Sequence, residues 1–373
     1  MMTEATTTET RPRLLTFGAG GWVILLAVAF TILVMVLMGL RIVQHLSSVP
    51  PGDGRDPATY GFALTPSLID TAAIAAAQKH RDVVPSLQDP SVMPGGSVAT
   101  FKRGTFLVPS DRVVGVVIDG VARAYPLSML ACHAVVNDRL GERDIAVTYD
   151  PICDSAVVFD RTPDGVETPL EFGVSGLVCN ANLLFYDRSA EPGAESLWSQ
   201  LRGRAVTGPA AAAGLRLERI PFGLVHWSDW LDAHPDTTVL EPNLADDYLM
   251  DMYKKTSYDG YYQSDTLFFG ASAPPVDEPA VKAPCVVIMS SAGGRAHVVP
   301  YPVIEAAADA DGVWETELDG RLLRFSYRHG PPAVRVTAED GGSVDAIHVR
   351  WFAWYGIDPD AAVVTGTGVR EAG

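Results

Sequence analysis

The chain has 373 residues, 47% hydrophobic and 20% charged, with a net charge of −17 from 28 basic and 45 acidic side chains. That composition is globular rather than disordered, and the length suggests roughly two domains at ~150 residues each. No basic run offsets the acidic excess, which argues against a nucleic-acid partner, and four cysteines are too few for a disulfide scaffold in a chain this long.

After a tail over residues 1–17 comes an uncharged run, Gly18–Leu40, of 23 residues. At ~1.5 Å per residue it can span a hydrocarbon core of ~30 Å. A secretory signal has a shorter apolar region, about 7–15 residues, and a small-residue cleavage site behind it. Here Arg41-Ile42-Val43-Gln44-His45 follows instead, so the sequence predicts an uncleaved transmembrane helix over 18–40, with the membrane as its partner. Arg11 and Arg13 nearly balance Arg41 and Arg55 across it. The short tail and long body give the expected orientation, an extracytoplasmic body on a single-pass anchor. No particular protein partner is indicated.

Residues 41–81 are expected to hold a linker and an Ala-rich helix. Ser47–Tyr60 is rich in Pro, Gly and Asp, and Thr65-Pro66-Ser67 is a sound helix start for the stretch running to Lys79. Pro85, Pro90 and Pro94 exclude a long element until about Phe101. From Val113 the pattern turns to β. Val113–Asp119 and Val121–Tyr125 flank Asp119-Gly120, a strong hairpin signal. A short helix is expected over Pro126–His133, then strands near 144–149, 155–161, 170–174 and 182–186. Ser228–His234 reads as a helix that Pro235 stops, and Thr237–Leu240 as a strand.

An internal echo runs through the body. Gly120–Pro126 matches Gly294–Pro300, Val147-Thr148-Tyr149 matches Phe325-Ser326-Tyr327, and Trp227-Ser228-Asp229-Trp230 matches Trp351-Phe352-Ala353-Trp354. The expected fold is therefore mainly β, of the α+β type. Two related β-rich units, 82–242 and 243–366, with short helices, follow one transmembrane helix. The tyrosine-rich stretch Tyr248–Tyr262 reads as a linker between the units.

One cluster can carry chemistry. Cys132, His133, Asp150, Cys153 and Cys179 all lie in the first unit, whereas Cys285 in the second reads as a small core residue. Three readings stay open. In the first, His133 and Cys153 bind Cu or Zn, with Asp150 adding an oxygen and Met129 on the same helix face as His133. In the second, Cys153 is a nucleophile with His133 as its base, oriented by Asp138, Asp150 or Asp154. In the third, Cys132, Cys153 and Cys179 supply a structural disulfide or stay inert.

The runs VGVVIDGVARAYPLSMLACHAVVN, RDIAVTYDPICDSAVVFDR and EFGVSGLVCNANLLFYDR, with Leu197-Trp198-Ser199-Gln200, closely resemble the domain-of-unknown-function family 3179 over about 82–242. This family of bacterial and archaeal proteins, many with an N-terminal signal or anchor, implies no activity. It usually reads Cys-Pro-x-Cys-Gly-Ser-Ala where this chain has Asp150-Pro151-Ile152-Cys153-Asp154-Ser155-Ala156. The resemblance places the family histidine on His133 and the second cysteine on Cys153, and puts Asp150 where the first cysteine would be. Three readings of that departure stay open: Cys179 or Cys132 replaces the missing sulfur in space, Asp150 is a harder ligand that weakens Cu(I) binding, or the site is decaying. A dithiol cycle through the motif is out of reach in this chain.

The resulting expectation is a metal-binding module for Cu or Zn using His133, Cys153, Asp150 and Cys179. The alternatives are a thiol enzyme with Cys153 as nucleophile or redox group, and a structural or interaction protein with a vestigial site.

Overall fold

A computed structural model describes residues 21–47, 50–100, 106–189, 191, 193–242, 246–255, 257–275, 279–290, 295–366 and 368–370. The tail, the start of the apolar run, Phe101, the 242/243 boundary and Gly294 of the repeat thus fall wholly or partly outside the described residues. The chain divides into two units, Met1–Pro50 and Pro51–Gly373.

The first unit contains α1 (Gly21–Ser47), a 27-residue helix. Its window Trp22–Gly39 has no buried residue, and it is long and apolar enough to cross a membrane.

The second unit is mostly sheet. Its chain begins with β1 (Ile74–Ala76), β2 (Leu87–Gln88) and β3 (Val92–Pro94). The Ala-rich helix expected over 65–79 does not form. Asp70 caps a single 3-10 turn, and Ile74, Ala75 and Ala76 then pair with Cys179, Val178 and Leu177 as an edge strand. An isolated Ala-rich segment this short is a marginal helix, so tertiary pairing overrides its propensity.

Two series of elements follow. The first runs β4 (Arg112–Ile118), β5 (Val121–Pro126), α2 (Leu127–His133), β6 (Val135–Leu140), β7 (Arg143–Asp150) and β8 (Ser155–Asp160). It is interrupted by β9 (Phe172–Cys179), β10 (Asn182–Asp187), β11 (Leu197–Ser199), β12 (Arg204–Ala205) and α3 (Gly208–Ala212), then closes with β13 (Gly223–His226), α4 (Trp227–Ala233) and β14 (Thr238–Leu240). Two short helices, α5 (Asp247–Lys255) and α6 (Asp259–Tyr262), lead to the second series. That series runs β15 (Pro284–Ile288), β16 (His297–Pro300), α7 (Tyr301–Ala307), β17 (Val313–Leu318), β18 (Arg321–Arg328) and β19 (Ala333–Ala338), then β20 (Ala346–Arg350), α8 (Trp351–Tyr355), β21 (Ala362–Thr365) and β22 (Gly368–Arg370).

The two series repeat strand for strand and register for register. His226 faces Arg112 across β13 and β4, as Arg350 faces Pro284 across β20 and β15. Thr238 and Val239 pair in parallel with Arg123 and Ala124, as Ala362 and Val363 do with His297 and Val298. The hairpin at Asp119-Gly120 has both residues at positive φ, 51° and 77°, the requirement of a tight turn that matches strand twist.

The halves are interlocked. The eight-stranded sheet, β17-β18-β19-β13-β4-β5-β14-β3, joins the second half's meander to the first half's strands through Leu224 opposite Val334. The nine-stranded sheet, β2-β6-β7-β8-β20-β15-β16-β21-β22, does the reverse through His348 opposite Ala156. Each half keeps its own core between these sheets: Val114, Tyr125, Val136, Val147 and Val158 in the first, and Val286, Val299, Leu323, Phe325 and Val334 in the second. The five-stranded sheet β1-β9-β10-β11-β12 covers the other face of the nine-stranded sheet, burying Phe172, Phe185 and Trp198 against Val135, Ala146 and Val157.

Candidate functional site

α2 places His133 on its last turn, 2% exposed. The Pro85 carbonyl can only accept, so Nδ1–H donates to it at 2.8 Å, and Nε2 accepts from the Tyr253 hydroxyl at 2.7 Å. Burial lowers the imidazole pKa, which keeps the ring neutral in this tautomer.

The motif residues from Asp150 to Cys153 form the turn between β7 and β8. Asp150 Oδ1 accepts from the Ile152 and Cys153 amides at 2.9 and 3.4 Å. Its Oδ2 accepts from the Leu183 amide at 2.8 Å and the Asn182 side chain at 3.4 Å. Burial raises this carboxyl to about 6 even against those donors. Cys153 is fully buried and its thiol donates to the Ala181 carbonyl at 3.3 Å. Burial, then the charge of Asp150, pushes that thiol well up, the reverse of what an activated nucleophile needs.

The structure therefore brings Asp150 and Cys153 together in one turn and gives His133 other partners. Cys179 sits half-buried where β9 meets β1 and β10, opposite Ile74 and Asn182. Cys132, Cys153, Cys179 and Cys285 are all free thiols. Among the described residues no group of three or more His, Cys, Asp or Glu side chains is placed to hold a metal ion. The aspartates considered as orienting groups for His133 are also engaged elsewhere. Asp138 accepts from Arg123 at 2.6 Å and Tyr125 at 2.7 Å.

Asp154 lies between Arg112, at 3.0 Å, and Arg350, at 3.2 Å, and accepts from the Tyr149 hydroxyl. Burial alone would raise its carboxyl, but the two guanidiniums bring it down to about 2. Arg112 belongs to the first half and Arg350 to the second, so this ion triad ties the interlocked sheets at the motif. Beside it, Gln200 accepts from Ser155 at 2.6 Å and from Asn182 at 2.8 Å and donates to Thr148 at 3.1 Å, fixing the inserted sheet on β7 and β8.

A cavity of about 280 Å³ lies against this turn. Asp150, Pro151 and Ile152 form one wall, Ala131 and Ala134 of the α2 end another, and Val174, Val178 and Leu183 of the inserted sheet a third. Gln78 also lines it, and its buried Oε1 has no hydrogen-bond partner among the described residues.

Ala77, Val84, Tyr149, Tyr258 and Phe269 also line the cavity. Tyr258 belongs to the stretch Tyr248–Tyr262 expected to be a linker, which packs on the site: Tyr253 bonds His133, Tyr262 donates to the Pro151 carbonyl, and the Tyr262 ring lies 3.9 Å from the Arg350 guanidinium. The density of tyrosines was the available signal. Arg112, Gln200 and Arg350 carry no such signal, because their partners lie 18 to 196 positions away.

A family model described as a protein of unknown function, DUF3179, matches residues 81–347, spanning both halves. No curated protein and no solved structure matches the chain.

Proposed function

The chain belongs to the DUF3179 family, which prescribes no activity, and from that premise we propose that it is a membrane-tethered binding module whose site is the cavity beside Asp150-Pro151-Ile152. The observation that carries this reading is the cavity itself, mostly apolar in its lining, with Gln78 as the acceptor left over. A cavity of ~150 Å³ already holds benzene, so 280 Å³ is room for a small, largely apolar molecule with one N–H or O–H to donate. His133, Asp150 and Cys153 hold the walls: each has its polar atoms matched to a neighbour, and the neutral imidazole and protonated thiol favour packing over chemistry. α1 tethers the body, which lies on the extracytoplasmic side.

A copper or zinc ion on His133 and Cys153, with Asp150 or Cys179, is the competing reading. It requires His133 to give up Tyr253 and the Cys153 thiol to ionise in a buried setting.

The full chain in detergent, purified without added metal or chelator, tests both. Phenol should shift the methyl resonances of Ala131, Val174 and Val178 saturably. Anisole, which lacks the donor, should bind about tenfold more weakly. Ala131→Leu should abolish the effect. Absence of saturable shifts would overturn the cavity reading. Stoichiometric Cu or Zn that is lost on His133→Ala with Cys153→Ser would replace it with the metal site.

A further inference from the structure

The repeat makes a second site legible. On the first half, the outer face of β7 and β8 carries Thr148 opposite Val157 and Asp150 opposite Ser155. The inserted sheet sits on that face and satisfies its polar groups through Gln200 and Asn182. On the second half the equivalent face carries Ser326 opposite Arg335 and Arg328 opposite Ala333. There β19 passes to β20 through only residues 339–345, with nothing comparable to the inserted sheet. What remains is a groove of about 430 Å³ between this face and α4.

Its cations, Arg328 and Arg335, come from the sheet face, and its carboxylates, Asp229 and Asp232, from α4. Arg328 is already paired with Asp229 at 3.1 Å. Arg335 and Asp232 both line the groove, and neither has an ion-pair partner among the described residues. Leu224, Val225, Ala333 and the buried Trp230 supply the apolar part of the lining. A guanidinium, a carboxylate and an apolar lining in one groove match a dipolar molecule with an apolar arm.

We propose that this groove binds a free α-amino acid with an apolar side chain. Its carboxylate is taken by Arg335, its ammonium by Asp232, and its side chain lies against the apolar lining. The site is separate from the cavity at Asp150, so neither proposal depends on the other.

The test is calorimetric titration of the full chain in detergent with L-leucine, 4-methylpentanoate and 3-methylbutan-1-amine. The last two each lack one charge of the first. Leucine should bind saturably, and each analogue about tenfold more weakly or worse. Arg335→Gln and Asp232→Asn, both at exposed positions, should weaken leucine by a similar factor while leaving the thermal midpoint unchanged. Ala131→Leu, which fills the other cavity, should leave leucine binding intact. No saturable heat with leucine, equal binding of the three probes, or indifference to both charge substitutions would overturn the proposal.

Discussion

The two halves of the body follow one course of strands in one register, yet they have been finished differently. In the first half the turn after β7 is Asp150 to Asp154, sealed by an inserted sheet, an ion triad and the tyrosine-rich segment. In the second the corresponding turn, His329-Gly330-Pro331-Pro332, is solvent-exposed, and no side chain there is placed to answer Asp154. The shared register shows that the frame does not need the insert to form its sheets. The cavity at Asp150 lies where the insert and the linker meet the frame, and the open groove lies where the frame has no insert. Differences between the halves, and not the frame they share, are what create places for ligands.

The largest break in this comparison comes from Asp154. Asp154→Ala leaves the half-buried Arg112 and Arg350 without their buried counter-charge, and such a loss costs about 3–5 kcal/mol. The equivalent Pro332→Ala, at an exposed position, should stay within about 0.5 kcal/mol. Urea unfolding of both variants checks the contrast, and equal effects would mean that the triad is not what joins the halves.

A pH profile comes next. His348 of β20 stands where the first half has Leu224; burial, then Arg112, lowers its imidazole to about 3. The unfolded chain takes up that proton near 6.5, so between about 6.5 and 3 it binds more protons than the folded one, and stability falls as pH drops through that window. Asp150, raised to about 6 by burial, acts in the opposite sense. Its contribution is present below 3.8 and is lost as pH rises through about 6. His348→Gln keeps a partner for the Tyr301 hydroxyl and should flatten the acid limb of the thermal-midpoint profile.

A smaller effect separates the strands themselves. Gly115 of β4 stands where β15 has Val287, because a Cβ there would lie 2.3 Å from the Trp230 ring. Gly115→Ala should cost about 1–3 kcal/mol by overpacking, measured by denaturant midpoint. The smallest change is Tyr253→Phe, which removes the donor on His133 Nε2 and should cost about 1 kcal/mol. Its sharper readout is the His133 ring signal, which should move if the tautomer is held as described.

The signals behind the echo are local: Asp119-Gly120 demands a tight hairpin, and the tryptophan pairs of α4 and α8 stand at the same place in each half. The cluster of Cys132, His133, Asp150, Cys153 and Cys179 was also visible, but its geometry was not. Sequence shows residue types, whereas the tautomer of His133 depends on Pro85 and Tyr253, and the thiol of Cys153 on a carbonyl 28 positions away. The Ala-rich stretch after Thr65 misled for the same reason, since a free edge of β9 decided its conformation.

The sequence by itself determined an apolar N-terminal helix of membrane-spanning length, a mainly β body, and the family to which that body belongs. Those properties rest on hydropathy, periodicity and turn chemistry, which act over a few neighbouring residues. Only the tertiary structure decided that the halves exchange meanders, that Arg112 and Arg350 close on Asp154, and that a cavity and a groove lie where the halves differ. Each of these depends on groups far apart in the chain meeting in low dielectric, where burial and pairing set their energies and no local pattern records the outcome.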